Sequence, residues 1–93
     1  MKIRWSASAA KDLERIFERI RKSNPAAATR VVQTIYDGCA LLGDFPNRGR
    51  PGRMPGRREL VFSPLPYIAV YRVREQEQTV EISRIYHGAQ NWS

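Results

Sequence analysis

The densest group of residues with a chemical use is a run of arginines in one stretch rich in proline and glycine. Five arginines fall within eleven residues that contain no acid: Arg48, Arg50, Arg53, Arg57 and Arg58. Guanidinium groups bind phosphates and carboxylates through paired hydrogen bonds. Together with Arg72, these residues form a candidate surface for nucleic acid or an acidic protein partner. The alternative is a solvated loop whose arginines only aid solubility.

A second candidate site lies near the end of the chain, at Arg84, Tyr86 and His87. The only histidine can act as an acid or base near neutral pH. Tyr86 could stack on a nucleic-acid base, and Arg84 could stabilise a pentavalent phosphorane. A lone histidine at a strand end is also typical of a purely structural residue. Strict strand alternation places Arg84 and Tyr86 on one face and His87 on the other, so they converge only if a bulge intervenes.

Other kinds of chemistry have little support in the sequence. Cys39 is predicted to be a core residue, and no second Cys or His stands at metal-ligand spacing. No glycine-rich phosphate motif and no serine nucleophile motif is present. Glu59 follows two arginines and either pairs with one of them or, if it lies near His87, serves as a general base. We therefore expect neither a metal nor a cofactor.

Composition bounds the class of protein. The chain has 93 residues, and 16 Lys and Arg against 9 Asp and Glu give a formal charge of +7. The positive electrostatic field of such a chain favours polyanionic partners and disfavours a cationic small molecule. We expect one domain over residues 1–93. With no apolar run of about 20 residues and no apolar leader at the N-terminus, a cytoplasmic location without membrane association is expected.

The elements that must position these residues can be read from the apolar spacing. Residues 2–5 alternate as a first strand, and Ser6 or Ser8 can cap the helix that follows. Its apolar face carries Leu13, Ile16, Phe17 and Ile20. Asn24 and Pro25 begin a second helix that ends at Gly43.

Residues 44–56 are predicted to be a loop, followed by strands at 57–62, 67–74 and 79–86. The middle strand is apolar on both faces, as a central strand would be. Short links between these strands favour antiparallel pairing. The order is therefore β-α-α-β-β-β, an α+β fold with a helical hairpin packed on a small antiparallel sheet.

Six segments together resemble the RelE/ParE toxins of bacterial type II toxin–antitoxin systems. They are residues 5–13 (WSASAAKDL), 24–25 (NP), 49–52 (GRPG), 56–61 (GRRELV), 66–73 (PYIAVYRV) and 85–92 (IYHGAQNW). The resemblance covers essentially the whole chain, and the predicted element order is also that family's fold.

The resemblance implies a growth-inhibiting toxin that a cognate antitoxin neutralises through a flexible, often acidic segment. Operator DNA would be bound only indirectly, through the antitoxin. ParE-like members of the family act on DNA gyrase, whereas RelE-like members cleave mRNA on the ribosome. Neither activity requires a metal.

The ParE-like branch is favoured, because this chain has Tyr67 where one RelE-like subgroup places a catalytic arginine. The RelE-like alternative assigns catalysis to Arg84, Tyr86 and His87. A family member that binds antitoxin but no longer harms the cell is the third possibility.

Overall fold

A computed structural model describes residues 1–89. Its elements are β1 (Lys2–Trp5), α1 (Ala7–Arg21), α2 (Pro25–Leu41), β2 (Arg50–Pro51), β3 (Arg58–Val61), β4 (Tyr67–Arg74), a 3-10 turn (Glu75–Glu77) and β5 (Thr79–His87). The last three residues of the resembling segment 85–92 lie outside the described residues.

The two helices begin where local chemistry predicts. The Ser6 side chain accepts a hydrogen bond from the Ala9 amide, so Ser6 and not Ser8 caps α1. Asn24 caps α2 in the same way by accepting from the Ala27 amide, with Pro25 at the first helical position. These caps satisfy amides that the helix itself leaves without partners.

The sheet has five strands in the order β1-β5-β4-β3-β2, with β4 at its centre. The predicted α+β class is confirmed, and the structure adds two features. The short strand β2 forms inside the predicted loop and pairs with β3. The first strand pairs with β5 in the parallel direction, so the sheet is mixed. A parallel pair needs a long connection, and here both helices and three strands intervene.

The core lies between the helical hairpin and one face of the sheet. Side chains from the helical hairpin and from strands β3, β4 and β5 form one buried cluster. It includes Ile16, Ile35, Cys39, Leu42, Leu60, Ala69, Tyr71, Val80 and Ile82. Cys39 is fully buried, as predicted, and burial raises the pKa of its thiol to about 12. This cysteine is therefore a packing residue with little nucleophilic character at neutral pH.

A buried tyrosine fixes the arginine-rich loop, which is the predicted loop over residues 44–56, to the sheet. The Tyr71 hydroxyl donates to the Pro46 carbonyl (2.7 Å) and accepts from the Gly49 amide (2.9 Å). A side chain at position 49 would place its Cβ 2.7 Å from the Glu59 carbonyl oxygen and from Tyr71. Glycine is required here because the loop backbone lies directly against the sheet.

Candidate functional site

Two arginines of the predicted cluster, Arg50 and Arg58, hold the loop in place. Arg50 pairs with the buried carboxylate of Glu59, with 3.0 Å between Nη2 and Oε1. Arg58 donates through Nη2 to the carbonyl oxygens of Asn47 and Gly49. Because these guanidinium groups neutralise or satisfy acceptors within the protein, part of their binding capacity is already used.

The other predicted anion-binding arginines are distributed over two places. Arg48 and Arg53 are exposed on the loop, and Arg57 is half-buried at its end. Arg48 also lines a cavity of about 550 Å³ together with Phe45, whose ring is largely exposed. Arg72 lies on β4, opposite Glu81 of β5. The predicted cluster is thus a loop surface plus one arginine on the sheet.

Glu59 does not lie near the histidine. In the sheet register Glu59 is opposite Val70, and His87 is opposite Tyr67. Because successive residues of a strand point to opposite faces, Glu59 and His87 lie on different faces of the sheet. Of the two interpretations of Glu59, ion pairing is confirmed, although its partner is Arg50 and not one of the two arginines that precede it.

The middle of β5 contains a bulge, but the bulge does not bring the three candidate catalytic residues together. The register passes from Tyr71–Ile82 to Val70–Arg84, which leaves Ser83 as the extra residue. Since Ser83 precedes Arg84, alternation continues undisturbed to His87. Tyr86 therefore lies on the same face as Arg84, whose guanidinium carbon is 5.2 Å from the Tyr86 ring centroid.

His87 has structural contacts on the helix side of the sheet. Its ring packs edge-on against the buried Tyr67, with 5.5 Å between ring centroids. Its Nδ1 accepts a hydrogen bond from the Ala89 amide at 3.1 Å. The predicted separation of His87 from Arg84 and Tyr86 is confirmed.

Arg84 forms a two-point ion pair with Asp12 of α1. Its Nε lies 2.8 Å from Oδ2, and its Nη2 lies 3.1 Å from Oδ1. The Ile85 amide donates to the same carboxylate at 2.9 Å. Asp12 is only 7% exposed. Its hydrogen bond raises the pKa of Arg84 above the ordinary value, so this guanidinium is a permanent charge fixed at the edge of β5.

A pocket of about 230 Å³ lies around this ion pair, between α1 and β5. It is lined by Asp12, Arg15, Ile16, Arg19, Arg84 and Ile85. Arg15 and Arg19 are not part of the apolar face predicted for this helix, and sequence spacing does not connect them with Arg84. The available signal was Asp12 itself, an acid four residues before Ile16 on the apolar side of the helix, where a buried cationic partner is required.

Residues 1–89 contain neither a candidate metal centre nor a helix that could span a membrane. Within them no group of three or more His, Cys, Asp or Glu side chains is placed to hold a metal ion. None of the helices formed by these residues is long and apolar enough to cross a membrane.

Comparison with known proteins connects this geometry to a family. The family described as "ParE toxin of type II toxin-antitoxin system, parDE" matches residues 3–92. The protein Y4kP of Sinorhizobium fredii, described as a candidate toxin, is 41% identical over 91 residues, which cover 98% of this chain and 92% of that protein. Toxin RelE2 of Caulobacter vibrioides is 35% identical over 85 residues, covering 91% and 92%.

Among solved structures, the chromosomal ParDE toxin–antitoxin system of P. aeruginosa contains a chain that superposes with a TM-score of 0.84. That chain is 31% identical, and the match covers 94% of this chain and 95% of the other. Two helices on an open five-stranded sheet thus define a small toxin of the RelE/ParE fold. Within this class, the chain belongs to the ParE toxin family of type II toxin–antitoxin systems.

Proposed function

We propose that this chain is the growth-inhibiting toxin of a bacterial type II toxin–antitoxin pair, and that it acts by binding DNA gyrase. The observation that carries the choice of target is the arrangement of Arg84, Tyr86 and His87. Arg84 is held by the buried Asp12, and His87 lies on the opposite face of the sheet. The proposed toxin therefore acts as a binding protein and not as a nuclease.

Cleavage of RNA without a metal requires an acid, a base and a charge-stabilising group around one phosphate. Here His87 and Arg84 alternate to opposite sides of β5, and the Arg84 guanidinium is engaged by Asp12. Glu59, the available carboxylate near the arginine loop, is buried and paired with Arg50. Tyr67 stands where the resemblance expects a catalytic arginine in one RelE-like subgroup, and its hydroxyl contacts Arg19 at 3.5 Å.

The family match adds independent support for the ParE-like target, because the matched family is named for the parDE pair. The second candidate function is ribosome-dependent cleavage of mRNA. It is favoured by one observation, the exposed guanidinium of Arg84 beside the Tyr86 ring, which could hold a phosphate next to a stacked base.

The partner that neutralises the toxin is a cognate antitoxin, and operator DNA is reached only through it. Support comes from the P. aeruginosa structure, which is of a ParDE toxin–antitoxin system, and from the +7 charge, which suits an acidic segment. Arg48, Arg53 and Arg57 on the loop side, together with Arg72 on the sheet, are the proposed contacts for an acidic partner. We place this single-domain toxin in the cytoplasm, where its target lies.

The test is a pulse of expression without antitoxin, with DNA, RNA and protein synthesis followed in parallel. The proposal predicts an early loss of DNA synthesis with filamentation, while mRNA remains intact. Early loss of translation together with mRNA cut in a ribosome-dependent manner would replace the proposal with the nuclease function. Normal growth at full protein levels would indicate a family member that has lost its toxicity.

A further inference from the structure

We propose that the pocket between α1 and β5 binds one acidic side chain of the antitoxin. The identity of the partner rests on the proposed function, whereas the chemistry of the pocket rests on its own residues. The pocket is separate from the arginine-rich loop, and it adds a second anchoring point for an acidic segment on a different side of the molecule.

The shape of the pocket suits a single side chain. Three guanidinium groups stand around it, from Arg15 and Arg19 on α1 and from Arg84 on β5. Aliphatic side chains also line it, from Ile16 and Ile85, which are only 6% and 3% exposed. A cavity of about 230 Å³ with apolar and cationic walls accepts the methylene groups and the carboxylate of a Glu side chain.

The charges of the pocket leave binding capacity for a second carboxylate. Three guanidinium groups face one carboxylate, that of Asp12, so the pocket carries a formal charge of +2. Arg84 uses its Nε and one Nη2 donor on Asp12, and a guanidinium group has five N–H donors. Arg15 is 4.0 Å from Asp12 and 75% exposed, which makes it a weak partner.

The hydrogen-bonding capacity of the Arg19 guanidinium is also only partly used. Its hydrogen bond to the Tyr67 hydroxyl is long at 3.5 Å, and its side chain is exposed. Arg15 and Arg19 are one helical turn apart on the same side of α1, so both can turn toward an anion above Arg84. An incoming carboxylate would receive hydrogen bonds from them without displacing Asp12.

A carboxylate fits this pocket better than a phosphate of a nucleic-acid strand. Asp12 already exhibits the required geometry, because the Arg84 guanidinium holds its two oxygens side-on. A nucleic-acid strand is bound by a row of cationic groups that follows its backbone, whereas this pocket encloses one point. Its two isoleucines would contact the apolar part of an acidic side chain and would gain nothing from a phosphate.

The neighbouring backbone favours a side chain as the group to be bound. The pairing of β1 with β5 ends at Trp5–Ile82, and Ser6 then donates to the Ser83 carbonyl. The next amide that faces outward, that of Ile85, is satisfied by Asp12. Since this amide already has its acceptor, it does not offer a strand hydrogen bond, and this favours a side chain as the group that a partner contributes here.

The direct experiment is a titration of the full chain, labelled with ¹⁵N, with the blocked peptide Ac-Leu-Glu-Leu-NH2. We expect the Nε–Hε signals of Arg15, Arg19 and Arg84 to shift, while that of Arg21 does not. The matched peptide Ac-Leu-Gln-Leu-NH2 is the neutral control, and inorganic phosphate is the competing anion. Equal shifts with the Gln peptide, or larger shifts with phosphate at the same concentration, would overturn the proposal.

The second experiment measures the affinity of the chain for its antitoxin in the double variant R15Q/R19Q. We expect binding to weaken about tenfold, because charge-assisted hydrogen bonds to the antitoxin are lost. The control R21Q/K22Q removes the same charge from the same helix, away from the pocket, and should weaken binding less than about threefold. Both pairs are exposed, so a thermal melt should show folded proteins.

The two experiments separate this proposal from the proposed function. Equal weakening in both double variants would show a general charge effect and would overturn the pocket as a docking site. A chain that binds the Glu peptide but never arrests growth would contradict the toxin activity and leave the chemistry of the pocket in place.

Discussion

The ion pair between Asp12 and Arg84 joins the first helix to the last strand across 72 residues of sequence, and a double-mutant cycle tests its contribution. In Asp12→Ala, the Ile85 amide loses its acceptor. An orphaned buried amide costs about 1–3 kcal/mol. The Arg84 side chain is 44% exposed, so its guanidinium regains water and adds at most about 1 kcal/mol. We expect a loss of about 2–3 kcal/mol in the free energy of unfolding.

Substitution of the other member of the pair, Arg84→Ala, leaves the Asp12 carboxylate in place. That side chain is only 8% exposed, so water replaces the guanidinium poorly. Removing one member of a fully buried pair costs about 3–5 kcal/mol. Because the Ile85 amide still donates to Asp12 and Arg84 itself is half-exposed, we expect about 2 kcal/mol. The double variant should lose about 3 kcal/mol, less than the sum, which gives a coupling energy of about 1–2 kcal/mol.

Urea unfolding followed by circular dichroism measures these values. A loss of 2–3 kcal/mol moves the midpoint down by about 1–2 M urea. Glu14→Ala, on the exposed side of the same helix, is the control and should change stability by less than about 0.5 kcal/mol. Additive effects of the two single substitutions, or an Asp12→Ala variant as stable as its control, would refute the reasoning.

Three further predictions follow from buried or contacting groups. Cys39, with its raised pKa, stays protonated in the folded chain while the unfolded thiol ionises near pH 8.5, so stability falls as pH rises from about 9 toward 12. Urea titrations at pH 8 and pH 10 should show this decline in the native chain and a smaller decline in Cys39→Ala. Tyr71→Phe should cost about 1–2 kcal/mol and speed trypsin cleavage in residues 44–57, because Pro46 and Gly49 lose their hydroxyl partner; unchanged cleavage would contradict it. His87→Ala should still arrest growth at matched protein levels, and loss of the arrest would return His87 to a catalytic role.

Sequence reasoning succeeded where structure is set by nearby residues. The cap at Asn24 and the start of α2 at Pro25 follow from chemistry within one helical turn. The separation of Tyr86 from His87 follows from strand alternation, which the bulge at Ser83 leaves intact because it precedes both residues. These features required no knowledge of which segments meet in the fold.

Prediction from the sequence was incomplete where contacts join segments that are distant along the chain. The parallel pairing of β1 with β5 depends on the path of the whole chain. The hydrogen bonds of Arg58 depend on which loop carbonyl groups lie within its reach in the fold, and a count of charges does not predict them. The pocket around Arg84 requires α1 to lie beside β5, so sequence spacing alone could not connect Arg15 or Arg19 with it.

The central claim is that the chain arrests growth by binding DNA gyrase and not by cutting RNA. Its most direct test incubates the purified chain with gyrase from a bacterium whose growth it arrests, plasmid DNA and ATP, and measures cleaved DNA on a gel. The claim predicts linear DNA that increases with the amount of chain and disappears when antitoxin is added. Unchanged gyrase products, with mRNA cut on translating ribosomes by the same preparation, would contradict it.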